Sequence, residues 1–515
     1  MLKLFRLDQI ERRLFIDKSF VKLTYTFFFL FLSTFIFGQA KQIEILNTRT
    51  LKKSRGQTKE FVRLIGDVRM SHEGALMFCD SAHFFPKSNS IIAYQNVHIN
   101  QGDTLHLYGD KLNYNGNTKQ IDIRGNVRLR DPDLELTAPS LQFDRNTNLG
   151  YYTNGANIIG PSQKLWSQRG LYNSNNDMLQ FKDSVVLVTD NYTVRSDTML
   201  YHSESEQTWF YGRTVISGKN GDIYCKKGYF NALRETSWFV DSVFIYNESQ
   251  LIRGDSIFYD QKREFGKVYD NVLLRDTAEG YEVTGAFAHY KESSSYAFVT
   301  GNPIYSLNVD GDTLHLNGDT LLTYRNNDTA ERFLKVYYNV KIFKSDFQGR
   351  CDSLFYSEID STFHLYESPI LWTGTNQMTS DNMDLKLRNG NMDSLFMTGN
   401  AFLMSETEEV LYDQIKGKNM YGKFVENELQ RIFVSGNGQT VYNAYDENEV
   451  LLGINRADCS DLEIRVQDNK IDRIIFLVKP DATLYPVEDI PEGEKRLKGF
   501  RPRYDERPTR SDIFQ

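Results

Sequence analysis

A three-residue element recurs along this chain and constrains its fold more than any other feature. Its clearest form is Gly125-Asn126-Val127, and degenerate copies follow about every 30 residues. Thirteen copies align, at Gly66-Asp67-Val68, Gln95-Asn96-Val97, Gly125-Asn126-Val127, Gly155-Ala156-Asn157, Asp183-Ser184-Val185, Arg213-Thr214-Val215, Asp241-Ser242-Val243, Asp270-Asn271-Val272, Gly301-Asn302-Pro303, Tyr338-Asn339-Val340, Glu367-Ser368-Pro369, Gly399-Asn400-Ala401 and Gly436-Asn437-Gly438. A fixed period of this length indicates one supersecondary unit stacked many times.

A second element, Asp-x-apolar-x-aromatic, lies between the copies. Examples are Asp80 to Phe84, Asp110 to Tyr114, Asp197 to Tyr201, Asp255 to Tyr259 and Asp352 to Tyr356. Apolar and polar residues alternate over short runs such as Ile121-Asp122-Ile123, which is typical of strands. Gly and Asn tolerate positive φ, so we expect the triplet in turns where the chain reverses, with its third residue opening a strand. The sequence predicts an all-β stack.

Stacked strands of this kind need an apolar inner face. Alternation assigns to it Val68, Met70, Leu76, Phe78, Leu112, Tyr114, Ile121, Ile123, Val127, Leu129, Leu134, Leu136, Leu141 and Phe143. If two such sheets close on each other, these residues form an ordinary core. If the sheets stay apart, the same residues line a trough that an acyl chain can occupy. Alternation alone does not separate the two cases.

Residues 1–40 do not follow the repeat. Basic residues precede the uncharged stretch from Leu23 to Gly38, which ends in the small-x-small sequence Gly38-Gln39-Ala40. This predicts a signal peptide cleaved before Lys41 and export of the remaining chain. The alternative is an uncleaved anchor, because the apolar stretch approaches the length of a membrane span.

The remaining chain is predicted to form one repeat body, residues 41–200 and 201–485, and a charged, Pro- and Arg-containing tail, residues 486–515. Without residues 1–40, which hold six Lys and Arg and three Asp and Glu, the formal charge falls from −8 to −11. A nucleic-acid partner is therefore not expected. The tail is interpreted as disordered, with a docking peptide as the alternative.

The sequence offers no pattern typical of an active site or metal centre. Cys79, Cys225, Cys351 and Cys459 occupy equivalent places in different repeats, too far apart along a stack for disulfides, so we expect free thiols. The eight histidines lack zinc-site spacing, and the Gly-Asp pairs do not follow the nine-residue period of calcium-binding β-rolls.

No nucleophile elbow or phosphate loop is present. Paired carboxylates of a polysaccharide-cleaving solenoid remain the enzyme alternative. We expect no enzyme activity, cofactor or metal.

The strings LIGDVRMSHEGALMFCDSAHF, IRGNVRLRDPDLELTAPSLQF and LYGDKLNYNGNTKQIDIRGNV resemble the OstA/LptA family of periplasmic lipopolysaccharide-transport proteins. The resemblance is closest over about residues 41–200, and the length and composition are similar to the long OstA-like form of Bacteroidota. It implies an elongated antiparallel β-jellyroll, a V-shaped solenoid of two sheets. It also implies that lipopolysaccharide acyl chains lie in the apolar cleft and that jellyroll proteins of the pathway pair end to end through their strands.

Two functions follow as hypotheses. The first is a non-enzymatic periplasmic lipid carrier or bridge, which passes lipid towards the outer membrane. The second is a cell-envelope scaffold, or protein-binding β-solenoid, with a closed dry core. The chain is about three times as long as a single bridge subunit of the family, so its place in the pathway is open.

Overall fold

The computed structural model describes residues 42–55, 60–101, 105–130, 135–161 and 163–515, the last with gaps at 174, 177, 191, 203–204, 220, 261, 279, 292–295, 310, 326–330, 358, 389–390, 409–410, 426–427, 447–449 and 468–469. The predicted signal peptide and the inward-facing residue Leu134 lie outside the described residues. The chain forms two compact units, an N-terminal unit up to residue 248 with 255–264, and a C-terminal unit of 249–254 with 265–515.

The described part of the N-terminal unit consists of strands and one 3₁₀ turn, Pro86–Ser88. Its strands are β1 Glu44–Asn47, β2 Thr50–Arg55, β3 Glu60–His72, β4 Ala75–Phe85, β5 Ser90–Gln101, β6 Leu105–Asn115, β7 Gln120–Arg130, β8 Glu135–Asp144, β9 Leu149–Tyr152, β10 Ala156–Ile159, β11 Gln163–Ser167, β12 Arg169–Asn173, β13 Met178–Thr189, β14 Tyr192–His202, β15 Gln207–Gly218, β16 Gly221–Asn231 and β17 Thr236–Tyr246. Strand β18, Gln250–Asp260, is divided between the two units.

The C-terminal unit contains strands β19 Phe265–Asp276, β20 Tyr281–Lys291, β21 Tyr296–Thr300, β22 Ile304–Val309, β23 Asp312–Asn317, β24 Thr320–Arg325, β25 Arg332–Phe343, β26 Phe347–Ser357, β27 Thr362–Tyr366, β28 Ile370–Thr373, β29 Asn376–Thr379, β30 Asn382–Arg388, β31 Asn391–Glu408, β32 Leu411–Val425, β33 Glu428–Tyr445, β34 Leu451–Gln467, β35 Lys470–Phe476 and β36 Asp481–Tyr485. A 3₁₀ turn, Tyr504–Glu506, and a one-turn helix, α1 Arg510–Ile513, follow.

The repeated triplet forms a corner within a strand. In β7, Gly125 and Asn126 both have left-handed backbone conformations, with φ of 76° and 47°. Between Arg124 and Val127 strand β7 advances three residues while β8 advances two, so one residue is unpaired and the strand bends. Gly and Asn adopt positive φ with the least strain, which explains the composition of the triplet. The expectation that the chain reverses at the triplet is therefore wrong, because the strand continues through it.

The same corner recurs in both units. The equivalent register shift precedes Val68, Val97, Val185, Thr214, Val272, Val340, Ala401 and Gly438. At Thr214 the corner begins at Gly212, whose φ is 80°, so the copy aligned as Arg213-Thr214-Val215 starts one residue late.

Each corner divides a strand into two segments that belong to two different arms of the fold. In β7, Gln120–Arg124 lies in arm A and Val127–Arg130 in arm B, and the paired segments of neighbouring strands complete each arm. The arms pack face to face, because Leu112 and Ile123 of arm A share one buried cluster with Met70 of arm B. The predicted all-β fold, an antiparallel repeat with two facing layers, is confirmed.

Two rows of side chains line the facing surfaces of the N-terminal unit. The arm B row is aliphatic or Met on every strand: Ile45, Met70, Met77, Ile99, Leu107, Leu129, Leu136, Ile158, Leu165, Leu187, Val194, Ile216, Ile223 and Ile245. The arm A row carries an aromatic ring on every second strand: Phe84, Tyr114, Phe143, Tyr172, Tyr201 and Phe230. Phe84, Tyr114 and Tyr201 are the aromatic residues of the second repeated element, and the other three rings hold the equivalent place in repeats that lack its Asp.

The C-terminal residues 486–515, here called the strap, pack on the C-terminal unit. Gln377 and Gln414 each exchange two hydrogen bonds with the strap backbone, at 2.7 to 3.0 Å. Ile490 and Leu497 of the strap share a buried cluster with Phe402 and other core residues. The interpretation of the tail as disordered is therefore wrong. The strap instead covers a face that would otherwise expose apolar side chains.

All four cysteines are free and buried, as predicted. Cys79, Cys351 and Cys459 pair with Val68, Val340 and Gly438, each the third residue of a corner triplet. Cys225 pairs with Thr214, which holds the same place in its own corner. The four thiols therefore occupy equivalent positions in different repeats.

Candidate functional site

An apolar cavity of about 80 Å³ lies between the two arms of the N-terminal unit. Apart from tyrosine hydroxyls, its lining side chains are hydrocarbon, and glycines supply the rest. The lining residues are Leu107, Ile121, Leu129, Leu136, Leu141, Phe143, Gly150, Tyr151, Tyr152, Ile158, Gly170, Leu171, Tyr172, Leu179 and Phe181. They come from strands β6 to β13, so the aliphatic row of arm B faces the aromatic row of arm A across the cavity.

Two glycines make room where the cavity lies. Gly150 occupies the aromatic row between Phe143 and Tyr172, and a Cβ atom there would lie 2.9 Å from Cδ2 of Phe143. A Cβ at Gly170 would lie 2.3 Å from Cε1 of Tyr152. The Phe143 and Tyr152 rings therefore lie against the backbone of Gly150 and Gly170. Between the arms a space remains at this point, whereas side chains fill the corresponding space in the neighbouring repeats.

The volume of the cavity limits what it holds in this conformation. An engineered apolar cavity of about 150 Å³ accepts benzene, so a space of about 80 Å³ accepts a shorter piece of hydrocarbon. A long acyl chain therefore requires the arms to move apart along the two rows.

Most of the residues assigned to the inner face lie there. Ile121, Leu129, Leu136, Leu141 and Phe143 line the cavity. A second group, Val68, Met70, Leu112, Tyr114, Ile123 and Val127, lies in the closed core beside it. The structure thus contains both a closed core and an open space, in successive parts of one unit.

Two assignments to the inner face are wrong. Leu76 is 40% exposed, and Phe78 stacks on His98 on the outer face, with ring centroids 5.5 Å apart. In β4 the inward residues are Met77 and Cys79. The run Leu76-Met77-Phe78-Cys79 is apolar at every position, so alternation could not determine which residues of β4 point inwards.

Sequence reasoning missed several lining residues, chiefly Leu107, Ile158, Tyr172, Leu179 and Phe181. Tyr172 could have been found, because the aromatic row repeats every 29 residues from Tyr114 to Phe230. Leu107 and Ile158 can be identified only from the pairing of the strands, which places them beside Leu129 and Leu136.

A latch joins the two arms at their tips, next to the cavity. Glu73 lies in the β3–β4 turn of arm B, and its carboxylate contacts Lys119 at 3.2 Å and Arg145 at 3.0 Å, both on turns of arm A. His72 and the Tyr114 hydroxyl form a 2.7 Å hydrogen bond between the same two arms. These contacts join arm A to arm B at the ends of their strands.

The latch is electrostatically favourable. Burial alone would raise the pKa of Glu73, but the hydrogen bond from Lys119 and the charge of Arg145 outweigh it and hold the pKa below its ordinary value. Glu73 therefore stays ionised near neutral pH. Its side chain is 17% exposed, so solvent screens the pair less than an ordinary surface ion pair.

Other kinds of site find little support within the described residues. No group of three or more His, Cys, Asp or Glu side chains there is arranged to hold a metal ion. Nor do those residues include a helix with the length and apolar character needed to cross a bilayer.

Comparison with known proteins supports the resemblance for part of the chain. Residues 40–197 match the family model described as OstA-like protein, a segment that contains the whole cavity. No curated protein sequence matches the chain. LptH from Pseudomonas aeruginosa, titled the LptA homologous periplasmic component of the lipopolysaccharide transport device, is 12% identical over 20% of this chain and 79% of its own, with a TM-score of 0.19.

The WD40 domain of SCAP from fission yeast is 8% identical and covers 87% of this chain and 98% of its own, with a TM-score of 0.10. At these scores neither structural likeness bears on the fold or the function. The OstA-like match is the finding that relates residues 40–197 to a family.

Proposed function

We propose, proceeding from the OstA-like character of residues 40–197, that this protein is a non-enzymatic periplasmic lipid carrier. Lipopolysaccharide acyl chains lie between the aliphatic row of arm B and the aromatic row of arm A, and pass from there to other jellyroll proteins of the transport pathway. The observation that carries the proposal is the apolar cavity between these two rows, within the OstA-like segment.

The energetics favour an acyl chain as ligand. Each methylene buried in an apolar site contributes about 0.8 kcal/mol, so a chain of several methylenes offsets the cost of parting the arms. That cost includes the latch at Glu73 and the contacts between rows beyond the cavity. The carrier therefore opens to admit its ligand.

The scaffold alternative rests on a different observation. The repeats around Met70, Leu112 and Ile123 form a closed core in which these side chains are fully buried. If the whole N-terminal unit stayed closed in cells, its repeats would serve only as a surface for protein partners. The two functions differ in whether lipid ever contacts Leu129 and Leu136.

Site-specific photo-crosslinking in cells that export lipopolysaccharide tests the proposal. A photoreactive residue at Leu129 or Leu136 should capture lipopolysaccharide, because both line the cavity. Matched controls at Arg128 and Thr137, their neighbours in sequence, point to the other face and should capture none. Capture at neither Leu129 nor Leu136, with folded protein present at normal amount, would leave the scaffold as the better function.

A further inference from the structure

A second concave surface lies on the opposite side of arm A from the cavity. It is a basin of about 890 Å³ on strands β4 to β9. One cross-strand row forms its floor: Ile92, Asn113, Asp122, Gln142 and Tyr151. A second row on the same face, nearer the strand ends, contributes Asn115, Gln120 and Asp144.

The floor offers hydrogen-bonding groups in a regular array. Within the described residues, neither the Asn113 amide nor the Gln142 amide has a hydrogen-bond partner, so their donors and acceptors are available to a ligand. The Tyr151 ring is 40% exposed and presents a flat apolar face beside them. The two amides lie about 10 Å apart, on strands separated by β7, and Tyr151 pairs with Gln142. This spacing, with an exposed ring beside it, suits a ligand of more than one sugar unit with many hydroxyl groups and a flat hydrocarbon face.

The charge of the basin restricts that ligand further. Asp122 and Asp144 line it, and no Lys, Arg or His is among its described lining residues. Asp144 accepts hydrogen bonds from the backbone N–H of Asn146 at 2.8 Å and of Thr147, which lower its pKa and keep it ionised. The Asp122 carboxylate is paired with Arg124 at 2.7 Å, so the repulsion of phosphate comes chiefly from Asp144, and phosphorylated sugars are disfavoured.

The basin and the cavity share the rim of arm A. Ile121, Phe143 and Tyr151 line both, and Thr147 of the turn after β8 extends the basin beside them. A ligand whose hydrocarbon part lies in the cavity can therefore bend over this rim and place a polar part in the basin.

We propose that the basin binds a phosphate-free saccharide, the glycan portion of the glycolipid whose acyl chains the cavity holds. This inference rests on the proposed function for the link between the two sites. The basin itself is defined by its own residues, so saccharide binding and lipid binding can be tested separately.

Saturation-transfer NMR with the mature chain tests the site, using cellobiose, the dimer of glucosamine and glucose 6-phosphate as probes. Cellobiose and the glucosamine dimer should bind, and glucose 6-phosphate should bind at least about fivefold more weakly. Gln142→Ala should weaken cellobiose binding by about five- to tenfold, the loss expected for one or two hydrogen bonds.

A charge variant makes the test specific. Asp144→Asn keeps the oxygen that accepts from the Asn146 and Thr147 backbone but removes the charge, so it should raise glucose 6-phosphate binding towards that of cellobiose. The exposed Asp190→Asn, outside the basin, is the control and should change nothing.

Two results would overturn the proposal: equal binding of the phosphorylated and unphosphorylated probes by the unmodified chain, or cellobiose binding that Gln142→Ala leaves intact. Failure of the carrier function has a different signature, because lipid capture at Leu129 would then be absent while cellobiose still bound. Lipid capture at Leu129 without any saccharide binding would reject the basin alone.

Discussion

The Asn126 side-chain amide donates a 2.7 Å hydrogen bond to the Asp110 carboxylate, and this contact joins the two motifs that repeat along the chain. Asn126 belongs to the corner triplet, whereas Asp110 begins the Asp-x-apolar-x-aromatic strand beside it. Other corners have equivalent contacts, from Asn96 to Asp80, from the Arg213 backbone to Asp197 and from Asn400 to Asp381. The motifs recur together because they are the two sides of one bent strand pair.

Replacing Gly125 should destabilise this corner. Its φ is +76°, and a Cβ atom would lie 2.5 Å from Oδ2 of Asp110. Gly125→Ala therefore combines left-handed strain of about 1–2 kcal/mol with a steric clash of about 1–3 kcal/mol. We expect a lower denaturation midpoint and faster hydrogen exchange of the amides in β6 to β8.

Gly74→Ala is the matched control for the corner. Gly74 has a similar φ of +85°, but nothing lies within 4 Å of the position of its Cβ. It should show the strain without the clash. Adding Asp110→Ala to Gly125→Ala should recover part of the loss, and equal costs for Gly125→Ala and Gly74→Ala would contradict the role given to Asp110.

The sequence predicted those parts of the fold that depend on local patterns. In β7 polar residues separate Ile123, Val127 and Leu129, so alternation placed all three correctly on the inner face. Where neighbouring residues are all apolar, as at Leu76 and Phe78, the pattern carries no such information. The left-handed residues of a corner and of a hairpin turn are also the same types, so only the long-range register distinguishes them.

The cavity and the strap depend on contacts between distant residues. The cavity is open because Gly150 faces the aliphatic row of arm B, and nothing in the sequence around Gly150 marks that position. The strap has few apolar residues, and its backbone is held by Gln377 and Gln414, which lie far away in sequence. A charged segment with prolines therefore resembled a disordered tail.

Breaking the latch should let the arms separate more readily. Glu73→Gln removes the negative charge on arm B that pairs with Lys119 and Arg145 of arm A. Spin labels on cysteines introduced at the exposed positions Leu76 of arm B and Thr118 of arm A should report a longer and broader distance distribution in Glu73→Gln than in the chain that keeps Glu73. The four native cysteines are buried and should not be labelled in the folded protein.

Acid should have the same effect as Glu73→Gln. Because its neighbours lower the pKa of Glu73, the latch is stabilising above the ordinary Glu pKa of about 4.3 and weakens as pH falls through the lower folded value. Glu135→Gln is the control, since Glu135 pairs with Arg130 within arm B. An unchanged distance distribution in Glu73→Gln would show that the ion pairs do not hold the arms.

The strap should loosen when one of its glutamine anchors is removed. Gln414 accepts from the Leu497 backbone N–H at 2.9 Å and donates to the Lys495 carbonyl at 3.0 Å. Gln414→Ala leaves both backbone groups without these partners, at a cost of about 1–3 kcal/mol. Hydrogen exchange of the Leu497 amide should accelerate. Gln439→Ala, whose side chain donates to Asp458 within the sheet, should leave that exchange rate unchanged.

Asp413 should make the stability of the C-terminal unit depend on pH. Burial raises the pKa of Asp413 to about 6, although two hydrogen bonds from Asn443 oppose the shift. The folded state therefore binds the proton more tightly than the unfolded state, so stability is greatest below the unfolded pKa of about 3.9 and falls as pH rises through about 6.

Asp413→Asn should remove this dependence, because the amide is neutral at every pH and keeps an oxygen for Asn443. We expect its free energy of unfolding to exceed that of the unmodified chain by about 1–3 kcal/mol at pH 7, and the difference to vanish near pH 4. With Trp166, Trp209 and Trp238 replaced by Phe, the fluorescence of the buried Trp372 reports this unit alone. Asp458→Asn, at an exposed position on the same sheet, is the control. A variant less stable than the unmodified chain at pH 7 would mean that the charge of Asp413 is needed to hold Asn443.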